Sequence, residues 1–407
     1  MTKKALHDMF IRTQHFFRDY TNFDNGSKGY GLTSDNTSSP KRASIAATGF
    51  MFCYLILATE SHELRKDQSK QVTLKTIQTL LSIKHYQGFL PHFIDRDTGQ
   101  IWQQSEYSTI DTMLMMMGLL AVDAYYDDQT ITTLTHQLLS RIDWKAFQTT
   151  YQDKKVFAMA YNPKKHGDYS NGKPGYIFHW HMYAEQLMMY LLYPFDDAIE
   201  LYDNIEKPEG SFKDITYTHA PGNTLFIYHF PLAFLDLKHY VDHRGFSIYD
   251  NAKQAILGHR KLSESLSHIY KTMNIHAFGF NASDTPKGYR VFHAIPNNHD
   301  TILTDGTIAP FGIVGSYPYF EELITPSLDY LMTIPGLYQD YGFMDAFNQE
   351  DDLWISDKII AIDKGLEMLA LDAAMNQTIQ KLVTNHPVIQ AGMKRLQWKK
   401  VGKHGNH

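Results

Sequence analysis

Acidic side chains in aromatic-rich, loop-like stretches are the residues of this chain with the clearest chemical use. Five stand out: Glu106 and Asp111 in SEYSTID, Asp305 in LTDGTIAP, Asp345 in YGFMDAFN and Asp363 in AIDKG. Two carboxyl groups beside a glycosidic bond suffice for hydrolysis, because one protonates the leaving oxygen while the other activates water or attacks the sugar. The pattern therefore favours acid–base chemistry on a sugar.

Glu185 differs from these acids because it interrupts an apolar segment, HMYAEQLMMYLL, within a helix predicted over 180–193. An ionised Glu among apolar side chains is costly unless it is paired or used. Apolar surroundings raise the pKa of a carboxyl group, which suits a general acid. We interpret Glu185 as that acid; the alternative is a buried, hydrogen-bonded structural residue.

A structural interpretation of SEYSTID competes with the catalytic one. Ser108 followed three residues later by Asp111 is typical of a capping box, in which the hydroxyl accepts the third helical N–H and the carboxylate accepts the N–H of the cap. An Asp in the first turn also interacts favourably with the helix dipole. The cap explains Asp111 but not Glu106, which precedes it, so both interpretations stay open.

Composition and charge exclude several classes of protein. The chain has 407 residues and a net charge of −6, and no dense basic stripe is available for a nucleic acid. A single cysteine, Cys53, excludes an internal disulfide and a CxxC metal site. The longest apolar stretch, 43–58, is too short to span a membrane, and the N-terminus lacks the apolar region of a secretory signal. We therefore expect a cytoplasmic protein without a membrane or nucleic-acid partner.

Sequence motifs give no indication of a cofactor or a metal ion. GxGxxG, P-loop and GxSxG patterns are absent, which leaves nucleotide binding and serine-hydrolase chemistry without support. Histidine is abundant, with 21 residues, but His179 and His181 form only an H-x-H pair and HExxH is absent. We expect neither a cofactor nor a metal site.

Helical periodicity dominates the chain and alternates in character. Segments that are apolar on nearly every side, such as 43–62 and 108–126, are each followed by an amphipathic one, 69–85 and 130–148. An inner ring of buried helices covered by an outer ring satisfies both patterns. We therefore predict an all-α fold, the (α/α)6 double barrel or toroid, as a single domain over residues 1–407.

The remaining helix candidates are 4–20, 196–204, 224–240, 248–273, 320–333 and 357–375, and weak strand signals lie at 156–160 and 276–280. Long connections without their own structure are usually functional when they exceed about 12–15 residues. Five such connections are expected to line a central cavity: 86–107, 161–179, 205–223, 277–310 and 335–357.

Aromatic residues make up 14% of the chain, and many of them lie in stretches predicted to be loops, such as GYIFHWHMY. Tyr and Trp offer flat apolar faces with a polar edge, which suits the C–H faces of sugar rings. The alternative is that these residues pack the loops onto the body of the protein.

Several stretches together resemble one known family. GFLPHFIDRDTGQIWQQSEYSTIDTMLMMMG, YAEQLMMYLL, TDGTIAP, YGFMDAFN and AIDKGLEML look like the glycoamylase-like domain, and GYGLTSDNTSSPKRASIAATGF fits its opening. That domain occurs in β-1,2-glucan-degrading enzymes of glycoside hydrolase family 144 and is similar to the transglycosylating domain of cyclic β-1,2-glucan synthases. The resemblance runs in order from about Phe10 to Leu369 and implies an (α/α)6 barrel that cleaves β-linked glucans or gluco-oligosaccharides.

The resemblance also implies roles for individual residues. Glu106, Asp111 and Glu185 belong to the family's acidic cluster, which Asp345 faces from a later loop. Glu185 is then the general acid and Asp345 the general base acting through water; in the retaining alternative, Glu106 and Glu185 are the acid/base and nucleophile pair. Substrate contacts are expected from Trp102, Tyr107, Trp180, His219, Asp305, Phe343 and Phe347.

The chain departs from the family pattern: Ala184 replaces an Asn, Lys364 replaces a Gln, and the loop GFNASDTPKGYRVFHAIPNNHD lacks the usual Trp-Gly. Two other functions are considered. One is a non-catalytic oligosaccharide-binding protein. The other is a sugar epimerase or isomerase on the same toroid, working through facing histidines drawn from His179, His181, His219 and His229. The expected partner is an oligosaccharide, and the expected assembly is a monomer or a weak homo-oligomer.

Overall fold

A computed structural model describes residues 1–164 and 172–402 of the chain. Within these residues the α-helices are α1 (Lys3–Tyr20), α2 (Ile45–Glu60), α3 (Lys66–Ser82), α4 (Thr109–Tyr126), α5 (Gln129–Ser140), α6 (Leu187–Leu192), α7 (Ala198–Asp203), α8 (Phe226–Phe234), α9 (Ile248–Ser265), α10 (Pro310–Ser316), α11 (Glu321–Met332), α12 (Ala361–Met375), α13 (Thr378–Thr384) and α14 (Pro387–Arg395).

Burial alternates along the first twelve helices. Nearly every residue of α2, α4, α6, α8, α10 and α12 is buried. The intervening helices α1, α3, α5, α7, α9 and α11 bury one side only. A helix that is apolar all round must lie inside, and an amphipathic helix covers it. The chain therefore alternates between inner and outer helices, and its buried apolar side chains form one cluster from Leu6 to Leu396.

Short antiparallel strands occupy the connections between helices. They are β1 (Arg42–Ser44), β2 (Phe93–Asp95), β3 (Tyr107–Ser108), β4 (Gln148–Tyr151), β5 (Lys154–Tyr161), β6 (Tyr176–Trp180), β7 (Glu209–Phe212), β8 (Ile215–Thr218), β9 (Tyr240–Val241), β10 (Ala282–Ser283), β11 (Arg290–Val291), β12 (Tyr338–Gln339), β13 (Gly342–Phe343), β14 (Phe347–Asn348), β15 (Trp354–Ile355) and β16 (Lys399–Lys400). β5 pairs with β3, β4 and β6, and the other strands form two-stranded ladders.

The prediction of a mainly helical chain is confirmed, but the stricter all-α class is not, because the strands shape most of the long connections. The strand signal at 156–160 lies inside β5, whereas 276–280 forms no strand.

Helices α10, α13 and α14 were not predicted. α10, PFGIVGS, is short and contains two glycines, so its periodicity is weak although Pro310 suits a first helical position. Residues 165–171 of the predicted connection 161–179 lie outside the described residues.

The helix predicted over 180–193 is wrong in its first half. Residues up to Trp180 belong to β6, and α6 begins only at Leu187. A parallel bridge joins Met182 to Glu206, Tyr183 N donates to Glu206 O, and Glu206 N donates to His181 O. These backbone bonds hold the segment away from helical geometry. Glu185 therefore lies in a turn before α6 and not within a helix.

Helices α2 and α4 pack backbone to backbone at two glycines. A Cβ on Gly118 would lie 2.0 Å from Gly49 O, and one on Gly49 would lie 2.5 Å from Met115 Cα. Only glycine permits this approach. The contact fixes the position of α4 relative to α2, and both helices begin beside the same short segment of chain at His92.

No helix within the described residues is long and apolar enough to cross a membrane. The cytoplasmic location stays a prediction.

Replacing Gly118 with Ala should destabilise the protein. Alanine favours a helix by about 1 kcal/mol over glycine, but its methyl group would collide with rigid backbone, and overpacking of this kind costs about 1–3 kcal/mol or more. We expect a net loss in the free energy of unfolding, measured by urea denaturation. Gly26 lies in a loop with its nearest atom 3.5 Å from a built Cβ, so G26A is the control, with a change below about 0.5 kcal/mol. An unchanged midpoint for G118A would contradict the close packing.

Candidate active site

Three of the inner helices begin at one end of the molecule. His92 O accepts the N–H of Ile45 at the start of α2, and His92 N donates to Glu106 O just before α4. Ala361 N, at the start of α12, donates to Asp35 O. Helix starts carry unpaired N–H groups and the positive end of the helix dipole, so they favour anions. This end of the protein is therefore suited to hold carboxylates.

His92 lies between two of the predicted acids. Its Nδ1 is 2.9 Å from Glu106 Oε1 and its Nε2 is 3.6 Å from Asp111 Oδ1, while its ring stacks on Phe93 at 3.7 Å. Burial lowers the pKa of His92, but the charges of Asp111, Glu106 and Asp35 and the hydrogen bond to Glu106 together raise it to about 9. His92 is therefore a cation at neutral pH, placed where it neutralises both carboxylates.

The predicted cap at Ser108 forms in one of its two halves. Ser108 Oγ accepts the N–H of Asp111 at 3.3 Å, as expected for an N-cap. The reciprocal bond to the cap N–H does not form, because Ser108 N donates to Leu90 O; Asp111 Oδ2 accepts the Ser108 hydroxyl at 2.5 Å instead. Burial raises the pKa of Asp111, and His92 and Ser108 partly offset this rise. Asp111 is thus both a capping residue and a member of the acidic cluster.

Glu185 is partly accessible at the start of α6. Removal from water raises its pKa to about 7, and the negative charge of Asp111 adds to the rise. The raised pKa was expected from an apolar helix, but it arises from desolvation in the turn between β6 and α6.

Asp345 and Asp363 form a second group of buried acids. Asp345 Oδ2 accepts the N–H of Asp284 at 2.7 Å. Burial raises the pKa of Asp345 to about 6, although hydrogen bonds from Asp363 and Asp284 N lower it. Asp363, in the first turn of α12, has its pKa held well above the usual range by burial and by the neighbouring charge of Asp345.

Tyr289 connects the two groups of acids. Its side chain is 56% exposed, yet the pKa of its hydroxyl is held well above its ordinary value by removal from water and by the charges of Asp363, Asp345, Asp35 and Asp111. Tyr289 lines a common cavity with His92, which contacts Asp111, and with Asp284, whose N–H donates to Asp345. The predicted acids Asp111 and Asp345, which are far apart in sequence, therefore each contact a residue of the same cavity wall.

A cavity of about 490 Å³ opens at this end of the protein. Its lining residues are Asp35, Asn36, Ser38, Ser39, Arg42, His92, Phe93, Asp284, Tyr289, Lys358, Ile360 and Ile362. The volume lies within the range typical of small-molecule sites, about 300–1,000 Å³. Polar and charged groups beside two aromatic rings give it the character of a carbohydrate site.

Basic side chains balance the remaining acids of the cavity. Arg42 Nη2 lies 2.7 Å from Asp35 Oδ2, and its guanidinium lies 4.7 Å from the centre of the Phe93 ring. Lys358 Nζ lies 2.9 Å from Asp284 Oδ1. For Glu185 and Asp345, which form no such ion pair among the described residues, desolvation is the largest cause of the raised pKa.

Four of the aromatic residues expected to contact sugar are buried in the structure. Trp180 is 6% exposed and donates its indole N–H to Thr109 Oγ1 at 3.0 Å. Phe343 and Phe347 have no exposed surface, and Tyr107 packs against Tyr86. Their rings are covered by protein and serve the packing around the site.

The other predicted contacts lie in different surroundings. Trp102 is half-buried, and its backbone N–H donates to Phe93 O at 3.1 Å. His219 is buried with Nδ1 2.9 Å from Ala220 O. Asp305 caps a turn by accepting the N–H of Thr307 at 3.0 Å. Trp102, which adjoins a residue of the cavity wall, keeps a place near the site.

The histidines considered for an epimerase do not form a facing pair at the cavity. His179 and His181 lie on either side of Trp180, with ring centres 4.9 Å apart, and both contact Tyr151. His229 is buried in the core, where removal from water lowers its pKa to about 3. Their placement does not support acid–base work on a shared substrate.

The cavity contains functional candidates that sequence reasoning missed: Asp35, Arg42, His92, Asp284, Tyr289 and Lys358. His92 lies only fourteen residues before Glu106 in a stretch already singled out, so its spacing from the acids was an available signal. Tyr289 and Asp284 lie on the β10–β11 hairpin, and only the folded chain brings them to the acids.

Among residues 1–164 and 172–402, no group of three or more His, Cys, Asp and Glu side chains is arranged to hold a metal ion. The expectation of a metal-free protein stays a prediction.

Comparison with known proteins gives the site a family context. Residues 177–387, just over half of the chain, match the glycoamylase family model described as "Putative glucoamylase". The chain belongs to the glycoamylase family. The match begins in β6 and ends at the start of α14, so it includes Glu185, Asp345 and Asp363. No curated protein matches the chain by sequence.

Solved structures share the fold of this glycoamylase-family chain. An endo-β-1,2-glucanase from Chitinophaga pinensis is 20% identical with a TM-score of 0.82, covering 98% of this chain and 99% of that one. A "putative glucoamylase" from Bacteroides uniformis is 23% identical with a TM-score of 0.82 and covers 98% of each chain. A β-1,2-glucanase from Parabacteroides distasonis is 18% identical with a TM-score of 0.80; the match covers 98% of this chain and 60% of that one.

Replacing His92 with Gln should remove a pH-dependent contribution to stability. Because the pKa of His92 is raised from 6.5 to about 9 in the fold, its charge stabilises the protein fully below pH 6.5, and this effect is lost as the pH rises through 9. Relative to the parent, H92Q should lose at most about 3 kcal/mol of unfolding free energy near pH 6, with the partial exposure of the ring reducing this figure. The deficit should shrink towards pH 10.

Urea denaturation at a series of pH values measures this difference. The control is H7Q, which replaces an exposed His on α1 and should leave the pH dependence of the parent intact. A deficit in H92Q that stays constant with pH would show that His92 does not act as a cation.

Proposed function

We propose that this protein is a glycoside hydrolase that cleaves β-1,2-linked glucans or gluco-oligosaccharides. The observation that carries the proposal is a pair of desolvated carboxyl groups, Glu185 with a pKa of about 7 and Asp345 with a pKa of about 6. Family membership supports a carbohydrate substrate. The linkage is suggested by neighbours of the same fold, one described as an endo-β-1,2-glucanase in complex with sophorotriose and glucose and another as a β-1,2-glucanase.

Glu185 is the proposed general acid. A carboxyl with a pKa near 7 is protonated in about half of the molecules at neutral pH, and the protonated form can give its proton to the glycosidic oxygen as the bond breaks. The nearby charge of Asp111 helps Glu185 to retain this proton. We therefore assign two roles to Asp111: it raises the pKa of Glu185, and it holds substrate. Its own position is set by Ser108 and His92.

Asp345 is the proposed general base. With a pKa near 6 it is largely ionised when Glu185 is largely protonated, which is the combination that hydrolysis through an activated water requires. Its second oxygen is fixed by Asp284 N, so its orientation does not depend on substrate. Water would lose a proton to Asp345 while its oxygen attacks the anomeric carbon, and Glu185 would protonate the leaving sugar, which gives inversion.

The retaining alternative uses Glu106 with Glu185. Glu106 is held by His92 at 2.9 Å, and a carboxylate held by an imidazolium is a weaker nucleophile and a poorer acid than a free one. This contact favours the pair Glu185 and Asp345. Glu106 is then a positioning residue for His92.

Sugar rings are proposed to stack on residues of the cavity wall. Phe93 and Tyr289 line the cavity, and Arg42 and Asn36 offer donors to sugar hydroxyls. Trp102 stays a candidate at the rim. These assignments replace Trp180, Phe343, Phe347 and Tyr107, whose rings are covered.

The twelve alternating helices are proposed to close into a complete (α/α)6 toroid that forms a single domain. Support comes from the alternation of buried and one-sided helices and from the high TM-scores to glucanases of that architecture. A toroid collects the N-terminal ends of its inner helices at one face, which matches the position of the acids.

Replacing Glu185 with Gln should abolish most of the activity on β-1,2-linked gluco-oligosaccharides. Loss of a general acid typically reduces the rate about 10²- to 10⁴-fold, and Gln keeps the size of the side chain. Chromatography of the products over time measures the rate. The control is E206Q, which changes a partly exposed Glu whose backbone supports the same turn and should retain the parental rate.

The result has three informative alternatives. Equal rates for E185Q and the parent would remove Glu185 from the mechanism. Binding without cleavage by the parent would indicate a non-catalytic oligosaccharide-binding protein. Cleavage of another linkage alone would withdraw the β-1,2 assignment while keeping the hydrolase.

A further inference from the structure

Four ionisable side chains are buried in one region, the candidate base Asp345 and three residues of α12. Asp345 is 5% exposed, Asp363 6%, Lys364 2% and Glu367 2%. Lys364 Nζ donates to Glu367 Oε2 at 2.6 Å and to Phe343 O at 2.7 Å. Charged groups so far from water are stable only when their charges and hydrogen bonds are matched. Whether Asp345 is ionised therefore depends on which of these side chains carry protons.

Two carboxyl oxygens in the group have no ordinary donor. Asp345 Oδ2 accepts the N–H of Asp284, but within the described part of the chain neither Asp345 Oδ1 nor Asp363 Oδ2 receives an N–H or O–H. The two carboxyl groups are nevertheless in hydrogen-bonding contact with each other. Two ionised carboxylates in such contact would repel each other. A single proton shared between them would remove the repulsion and give both oxygens a hydrogen-bond partner.

The surroundings determine which residue holds the proton. Asp345 receives a backbone N–H, which favours its ionised form. Asp363 is buried next to Asp345 and near Glu367, and these negative charges favour its protonated form, although Lys364 opposes them. From the β10–β11 hairpin, Asp284 contacts Asp345 through its N–H, and Lys358 neutralises the Asp284 carboxylate. The balance places the proton on Asp363 and the charge on Asp345.

We propose that Asp363 is a positioning residue that keeps a proton at neutral pH and donates it in a hydrogen bond to Asp345, holding Asp345 ionised and oriented as the base. Lys364 supports this arrangement through two contacts. Its hydrogen bond to Phe343 O anchors the chain two residues before Asp345. Its ion pair with Glu367 neutralises the Glu367 carboxylate next to Asp345 and Asp363. The catalytic consequence rests on the proposed function, but the shared proton does not.

The first test needs no substrate. The protein is labelled with ¹³C at the aspartate side-chain carboxyl and observed by NMR at about pH 8. One aspartate should still be protonated, although this pH is well above the ordinary Asp pKa of ~3.9. D363N should remove this signal. D345N should also remove it, because an amide at 345 supplies the hydrogen bond and lets Asp363 ionise; this variant tests the proposal if D363N does not fold.

The matched control is D372N on the same helix. Asp372 is buried and has one unpartnered oxygen, but its other oxygen accepts the N–H of Ile379. D372N should leave the protonated signal of Asp363 in place. Absence of such a signal in the parent, or its persistence in D363N, would overturn the proposal.

The second test measures catalysis. Asn at position 363 still donates a hydrogen bond, so D363N should keep most of kcat, whereas D363A should lose about 10- to 100-fold, as expected for a hydrogen bond to a charged group. Without its donor, Asp345 should titrate at higher pH, so D363A should move the acidic limb of the kcat/KM profile upward. An equal loss in D363N and D363A would mean that Asp363 works as a carboxylate, and the proposal would fail. A parent that cleaves no glycoside would refute the proposed function and leave the NMR result standing.

Discussion

Carboxyl groups removed from water are the constraint around which this protein is built. The inner helices α2, α4 and α12 begin at one end of the molecule, where helix starts attract anions and where the cavity opens. A carboxyl in such a place must find a cation, a donor or a proton. Each of these is used: His92 for Glu106 and Asp111, Arg42 for Asp35, Lys358 for Asp284, Asp363 for Asp345, and a retained proton for Glu185.

This division separates acids that hold the site from acids that can react. The paired carboxylates are fixed in charge and position, so they define the walls and the electrostatic field of the cavity. No ion pair among the described residues involves Glu185, whose pKa of about 7 is set by desolvation and by Asp111. A proton held near neutrality can be donated and recovered within one turnover. The close contact of Gly49 with Gly118 also fixes the site, because it sets the position of α4, the helix that carries Asp111.

The sequence was most informative where the signal is local, within one segment or one side chain. Alternation of apolar and amphipathic segments predicted inner and outer helices, and Glu185 stood out as an acid among apolar residues. It was less informative where long-range contacts decide. Bonds to Glu206 prevent a helix around Glu185, and packing covers Trp180 and Phe343, since periodicity does not reveal which ring faces a cavity. Tyr289 lines the cavity from the β10–β11 hairpin, which is joined to Asp345 through Asp284 N, a contact that spans about sixty residues of sequence.

The most direct test of the account is a crystal structure of the E185Q variant with a β-1,2-linked gluco-oligosaccharide. The account predicts a glycosidic oxygen within hydrogen-bonding distance of the amide at 185, a water between Asp345 and the anomeric carbon, and sugar rings against Phe93 and Tyr289. An oligosaccharide bound away from both Glu185 and Asp345 would contradict it.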